Sequence, residues 1–500
     1  MLPQSSANLI PAQADPAPGR WRMLNFAWVS FFVTFVVWYN LGAFSTTIAR
    51  VLHLTREQSQ VLLLCNLALT IPARVGIGML VDRFGPRRMY SWLMALACIP
   101  CLGIAFSNHF WQLVICRLLI SCVGAGFVVG IRMVGEWFDA REIGTAEGIY
   151  GGLGNFGMAA ATFGLPLFAM MFGKDTGWRW ATALSGLLCL AWAVVFYAKA
   201  VDSPPGREFK RPKKRGALEV TSRPDLVGLI LLQVPMVLCL GITAWRLVRV
   251  RFMPASASYV IYGLLAALLV QQIVKIVKVN RPLIVGEKAD AEERYSFAQV
   301  AILCLCYGVT FGGELAVEQM LPAYFEKMFH VSVAVAGVMG AGFAFANFIA
   351  RPLGGILGDH VGRKPIMIVT LAGSAIGFFL IPLIGPRWPL WAAMGLIIIV
   401  GFFLMAGNGA NFCIAPLIRK PLTGQIAGLI GAYGSVGSVA FMTILLLTNP
   451  LTFFISMGAT GAVAFLCCLL IREPGRAPAA QPAVFESTSM QSVPLAVEMA

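Results

Sequence analysis

Apolar residues in this chain run in long stretches broken by short polar segments. They show neither the strict alternation of a half-buried strand nor the single stripe of a soluble helix. A helix that crosses a bilayer needs about 20 mostly apolar residues. Twelve stretches meet that length. The first six lie near residues 24–48, 59–81, 89–107, 110–134, 148–173 and 180–198. The later six lie near 297–323, 331–358, 365–384, 389–418, 424–448 and 451–471. The uncharged run 424–471 is too long for one span, and Asn449-Pro450 is its natural turn. Two further apolar runs, near 226–245 and 253–273, fall between the sets. The pattern predicts an all-α multi-pass membrane protein. It has a tail (1–23), a six-helix bundle (24–199), a connector with an inserted apolar hairpin at about 226–273 (200–295), a second six-helix bundle (296–471) and a disordered tail (472–500).

Composition agrees. The 500 residues are 58% hydrophobic and 12% charged, about half the charge of a soluble chain. The net charge of +15 does not point to nucleic acid, because Lys and Arg collect in short segments between apolar runs. The densest, Val201–Asp225, carries Lys210, Arg211, Lys213, Lys214 and Arg215. Basic loops stay on the cytoplasmic side, so both termini are expected inside a cell membrane. The hairpin then leaves Arg246, Arg249 and Arg251 facing outward, against that rule, so it is either an irregular insertion or a pair lying partly on the membrane surface. No apolar core with a cleavage site follows the polar N-terminus, so no removable signal peptide is expected. All twelve cysteines lie inside apolar runs, Cys98 and Cys101 included, and read as small hydrophobes. No metal or cofactor site is expected.

Two repeats relate the halves. Asp82, Gly85 and Arg87 end the second span, and Asp359, Gly362 and Arg363 end the eighth; both the aspartates and the glycines are offset by 277 residues. This acid, glycine turn and basic cluster resembles the loop signature of the major facilitator superfamily, where it is thought to lock the helices of one half together. The second repeat sets Gly148, Gly151, Gly154 and Gly157 against Gly428, Gly431, Gly434 and Gly437, offset by 280. Glycines on one stripe let helices approach closely in lipid, which leaves Asn155 unexplained. Gly152-Leu-Gly-Asn-Phe-Gly157 also fits a dinucleotide motif, but no strand precedes it.

Charges inside a membrane cost roughly 2.5–3.5 kcal/mol each on insertion scales and mark function. Arg74 and Arg351 each lie eight residues before a repeat aspartate. At about 1.5 Å per residue that is about 12 Å from the helix end, near the midplane. Paired sites from pseudo-symmetric halves are where such transporters hold substrate. A guanidinium presents a planar fork of donors suited to a planar oxyanion. Arg117, near Gly124 and Gly126, reads as structural.

On these residues the chain resembles the nitrate/nitrite porter family of the major facilitator superfamily. The resemblance implies two pseudo-symmetric bundles and an anion held by Arg74 and Arg351. It implies nitrate signatures at Gly151–Gly157 and Gly428–Gly437, with Asn155 bonding the anion and Gly151, Gly154, Gly431 and Gly434 beside it. Tyr307, Phe311 and Phe127 are implied as its aromatic walls. The insertion is more like the assimilatory permeases than the shorter respiratory exchangers. Glu314, three residues beyond Phe311, is the proton-coupling candidate, with a structural acid near the outer helix end as the alternative. The expected partners are nitrate, nitrite and the bilayer, and the expected state is a monomer. The alternatives are a carrier of another small anion and a non-transporting sensor. An intramembrane enzyme is disfavoured, because His53, His109, His330 and His360 all lie at loops or span ends.

Overall fold

The computed structural model describes residues 17–214, 216–249, 251–287 and 293–473. Arg215, most of the N-terminal tail and the C-terminal tail with its expected disorder lie outside the described residues. Among the described residues, thirteen helices are long and apolar enough to cross a membrane. We number them α1 (Arg20–Val51), α2 (Arg56–Phe84), α3 (Pro86–Ala105), α4 (Phe110–Trp137), α5 (Ile143–Phe172), α6 (Gly177–Lys199), α7 (Arg223–Arg249), α8 (Ala255–Val279) and α9 (Phe297–Phe329). The eighth span of the sequence reading is α10, built from two short helices, Val333–Phe345 and Asn347–His360, joined at Ala346. The chain closes with α11 (Arg363–Leu383), α12 (Leu390–Ile418), α13 (Lys420–Leu447) and α14 (Pro450–Cys468).

Local chemistry sets the ends. Thr55 opens α2 with a capping box, its hydroxyl accepting the Gln58 N–H at 3.2 Å while the Gln58 side chain accepts the Thr55 N–H at 2.9 Å. Gly85 has φ +86° and Pro86 follows at the first position of α3, so the chain turns and restarts within two residues. Gly362, with φ +124°, does the same before α11. The break expected at Asn449-Pro450 is there: Asn449 Oδ1 accepts the Thr452 N–H at 2.9 Å.

Two breaks were not legible in the pattern. The α2 helix is interrupted at Leu69 and α10 at Ala346, each five residues before its arginine and again offset by 277. A turn that leaves the regular ladder must find other partners. At the first break, Ser121 supplies them, its Oγ accepting the Leu69 N–H at 3.3 Å and its carbonyl the Thr70 hydroxyl at 2.8 Å. The fifth span begins at Ile143, earlier than hydropathy indicated, which brings Glu147 inside it.

The halves meet through α5 against α10 and α2 against α13. A Cβ on Gly148 would stand 2.9 Å from the Arg351 carbonyl, and one on Gly428 would stand 2.5 Å from the Arg74 carbonyl. The first glycines of each stripe are therefore crossing points of the two halves, whereas Gly157 and Gly437 meet the Phe32 and Gly308 carbonyls of their own half. The inserted hairpin runs beside the bundle: α7 packs on α13 and α2, and α8 packs on α7. Tyr433 donates to the Leu232 carbonyl at 2.8 Å. At the far end, Phe252 meets Trp111 at 5.0 Å, and the Arg249 guanidinium lies 4.9 Å from the Trp245 ring. Only Ser258 and Ile276 of α8 are buried, so its apolar surface faces outward.

Candidate functional site

Arg74 and Arg351 come from α2 and α10, just beyond the two breaks, and both are buried, at 0% and 2% exposure. Arg74 donates from Nε to the Gly124 carbonyl at 3.4 Å and from Nη1 to the Gly431 carbonyl at 2.5 Å. Among the described residues, its Nη2 has no hydrogen-bond partner, and neither Nε nor Nη2 of Arg351 has one. Among the described residues no carboxylate forms an ion pair with either arginine.

The two guanidiniums share one ring. Their carbons lie 5.2 Å (Arg74) and 5.5 Å (Arg351) from the Phe311 centroid, and Arg351 is also 5.9 Å from Phe127. Phe127, Tyr307 and Phe311 are nearly parallel, with interplanar angles of 1° and 4°. A fourth ring, Phe412 of α12, stands edge-on to Phe127 and Tyr307, 4.7 Å from each. Sequence reasoning missed Phe412, because nothing in its local pattern separates it from other aromatics in apolar spans.

The signature glycines make room for this arrangement, crosswise. A Cβ on Gly151 of α5 would lie 3.0 Å from the Arg351 Cδ; one on Gly431 of α13 would lie 3.3 Å from the Arg74 Cδ. Each glycine thus admits the arginine of the opposite half. Gly434 admits the Tyr307 and Phe311 rings, with a Cβ there 2.7 Å from the nearest Phe311 atom. Gly154 faces the Phe31 ring rather than an arginine. Asn155 is buried one turn beyond Gly151, and its Nδ2 donates to the Gly151 carbonyl at 2.8 Å, which leaves its second amide hydrogen open. Arg117 donates to the Trp38 carbonyl at 2.9 Å and so ties α4 to α1.

Glu314 does not sit near a helix end. It is 1% exposed and accepts from Asn347 and Asn408 Nδ2, each at 2.5 Å, in a clasp of α9, α10 and α12. Two more acids went unremarked in the sequence. Among the described residues, Glu318, one turn on, has a buried oxygen without a hydrogen-bond partner, and Glu147, 2% exposed, has both oxygens without one.

The repeat aspartates act across the halves as well as within them. Asp82 accepts the N–H groups of Gly424 and Gln425, each at 2.9 Å, at the start of α13. Asp359 accepts those of Gly144 and Thr145, at 2.9 and 2.6 Å, at the start of α5. A carboxylate at a helix N-terminus satisfies free donors and meets the positive end of the helix dipole. Asp82 also takes Arg132 Nε at 2.9 Å, and Arg132 bridges to Glu136 at 2.6 Å. The Arg-x-x-x-Glu spacing at the end of α4 is the signal by which that pair was findable. Arg363 bonds Asp359 at 3.2 Å and also the Ala140 carbonyl. Arg87 instead braces α6, with its backbone N–H on Asp202 and its Nε on the Tyr197 carbonyl, each at 2.7 Å.

Comparison with known proteins agrees with this architecture. The family profile described as Major Facilitator Superfamily matches residues 27–286 and 303–495. Nitrate/nitrite transporter NrtP of Nostoc punctiforme is 44% identical over 490 residues, which is 96% of this chain and 98% of that protein. Its namesake in Picosynechococcus sp. is 42% identical, covering 86% of this chain and 85% of that one. Among solved structures, the proton:xylose symporter XylE has a TM-score of 0.61 at 16% identity, covering 89% of this chain and 94% of that one. The human organic anion transporter MFSD10 has a TM-score of 0.63 at 11% identity, covering 90% and 100%. At those identities the structural likeness speaks to fold alone.

Proposed function

The chain belongs to the nitrate/nitrite porter family of the Major Facilitator Superfamily, and we propose that it imports nitrate and nitrite across a cell membrane by alternating access. The observation that carries this is the pair of buried guanidiniums, one from each half, with three donor nitrogens between them that have no hydrogen-bond partner among the described residues. Unpaired buried charge is costly, and a small anion would satisfy those donors and neutralise part of that charge. Nitrate suits the place: it is planar, singly charged and weakly hydrated, and the parallel rings form flat walls.

In this reading Arg74 and Arg351 grip the anion from opposite halves, and Asn155 offers its open amide hydrogen. Phe127, Tyr307 and Phe311 exclude water, which strengthens each charge-assisted contact. Gly151 and Gly431 let the arginines reach the axis, and Gly434 admits the rings. The connector and both termini face the cytoplasm, and the protein works as a monomer. Asp82 and Asp359 then close the cytoplasmic side by capping α13 and α5. Opening to that side would break both caps, and the anion would leave as the halves separate. Glu314 is the group proposed to take the proton if import is proton-driven.

The test is uptake of labelled nitrate into proteoliposomes preloaded with nitrite or unlabelled nitrate. Saturable uptake that formate, oxalate and chlorate fail to suppress supports the reading. Flux no greater than in protein-free vesicles, or stronger competition by a carboxylate, overturns it.

A further inference from the structure

Outside the central site, one cleft gathers positive charge from parts of the chain far apart in sequence. It has a volume of about 620 Å³ and is lined by Arg83 at the end of α2, Arg88 at the start of α3, Arg211 and Lys214 of the connector, and Lys275 of α8. Lys214 pairs with Glu219 at 3.0 Å. Arg83, Arg88, Arg211 and Lys275 form no ion pair among the described residues, and all four are exposed. Loop charge that only sets topology has no need to converge. Here four segments bring it to one place, with no acid among the described lining residues. Gln425 of α13 closes the cleft; it is 8% exposed and its side-chain oxygen has no hydrogen-bond partner among the described residues.

The cleft also adjoins an apolar seam: on the face of α8 that carries Lys275, Leu268 and Leu264 lie exposed two and three turns away, and a narrow crevice that shares Met79 and Gln425 with the cleft lies inward, beside Val75, Leu229 and Ile276. A cationic pocket opening onto an apolar seam at a helix end has the shape of a phospholipid, headgroup and chain. Free phosphate would use the first part and leave the second empty. We propose that this cleft binds an anionic phospholipid of the phosphatidylglycerol type, with its phosphate among Arg83, Arg88, Arg211 and Lys275 and an acyl chain along the seam. The inserted hairpin makes the site, because α8 supplies Lys275 and Ile276, and α7 supplies Leu229. The site also spans the halves. Gln425, whose backbone N–H Asp82 accepts at 2.9 Å, brings the start of α13 into its lining. This inference needs the membrane reading but not the choice of nitrate as substrate.

Native mass spectrometry of the full-length protein tests it without a transport assay. Phosphatidylglycerol should be retained at one site in preference to phosphatidylcholine. Cations near an anionic lipid surface contribute about fivefold each, so Arg88→Gln with Lys275→Gln should weaken retention roughly thirtyfold. Lys275→Arg should retain it. The control Arg22→Gln with Lys199→Gln, which removes two exposed charges outside the cleft, should bind as the parent does. Equal retention of both lipids, or an equal loss in the control, overturns the proposal. Displacement by glycerol phosphate or inorganic phosphate as effectively as by lipid overturns the lipid assignment in favour of a soluble phosphate.

Discussion

Arg74 and Arg351 are identical in chemistry but differ in how firmly they are held. Arg74 spends two nitrogens on backbone carbonyls, whereas Arg351 has two buried nitrogens with none. Lysine at either place keeps the charge, but it cannot span a carbonyl and an anion as the planar fork does. Arg74→Lys and Arg351→Lys are each expected to lower nitrate uptake at least tenfold, on the order of 1.4 kcal/mol or more. The double substitution should do little more than either alone, because contacts to one ligand are coupled. Uptake kinetics of the three variants at equal reconstitution check this, and parental affinity in both single variants would refute it. Asn155→Asp is expected to abolish uptake. The aspartate loses the donor that now meets the Gly151 carbonyl and places a negative charge beside the anion's path. A folded Asn155→Asp variant with ordinary transport would remove Asn155 from the site.

At the scale of elements, the capped helix starts are where the two halves hold each other. Asp82 meets the first turn of α13 and the Arg132 guanidinium, and Asp359 meets the first turn of α5. Asn in place of Asp82 keeps an acceptor but loses the charge. The charge at a helix end is worth about 0.3–1 kcal/mol when exposed and up to about 2 when partly buried. Asp82→Asn should therefore raise the population open at that end by roughly tenfold. Hydrogen exchange reads this directly: the amides of Gly424 and Gln425 should lose protection while those of mid-helix α13 keep theirs. Unchanged protection at both amides would mean that the aspartate does not hold the halves closed.

At the scale of the whole molecule, the question is what drives the cycle. Glu314 lies in the C-terminal half, held by two asparagine amides whose oxygens, Asn347 Oδ1 and Asn408 Oδ1, have no hydrogen-bond partners among the described residues. Glu314→Gln is isosteric, and either asparagine can turn its amide over to accept the new donor, so the clasp survives. If Glu314 carries the proton, this variant should exchange nitrate for nitrite at the parental rate but fail to accumulate nitrate against a gradient when a pH difference is imposed. Undiminished proton-driven accumulation would exclude Glu314 from coupling.

The order of the spans, the break at Asn449-Pro450, the two repeats and the common depth of Arg74 and Arg351 were all legible in the chain by itself. The reason is that hydropathy reports the medium around a segment, and a helix rises a constant distance per residue, so depth can be counted. What cannot be counted is which way a side chain faces and what it meets. Phe412, Arg132 and Glu147 occupy their positions because helices distant in the chain pack against each other. The breaks at Leu69 and Ala346 are equally silent in composition. The clearest case is the loop signature, which the resemblance implied braces one half and which also joins the two. Only the tertiary structure decided that junction, because two of the donors Asp82 accepts belong to a helix start more than 300 residues away, brought there by glycines that let the halves cross.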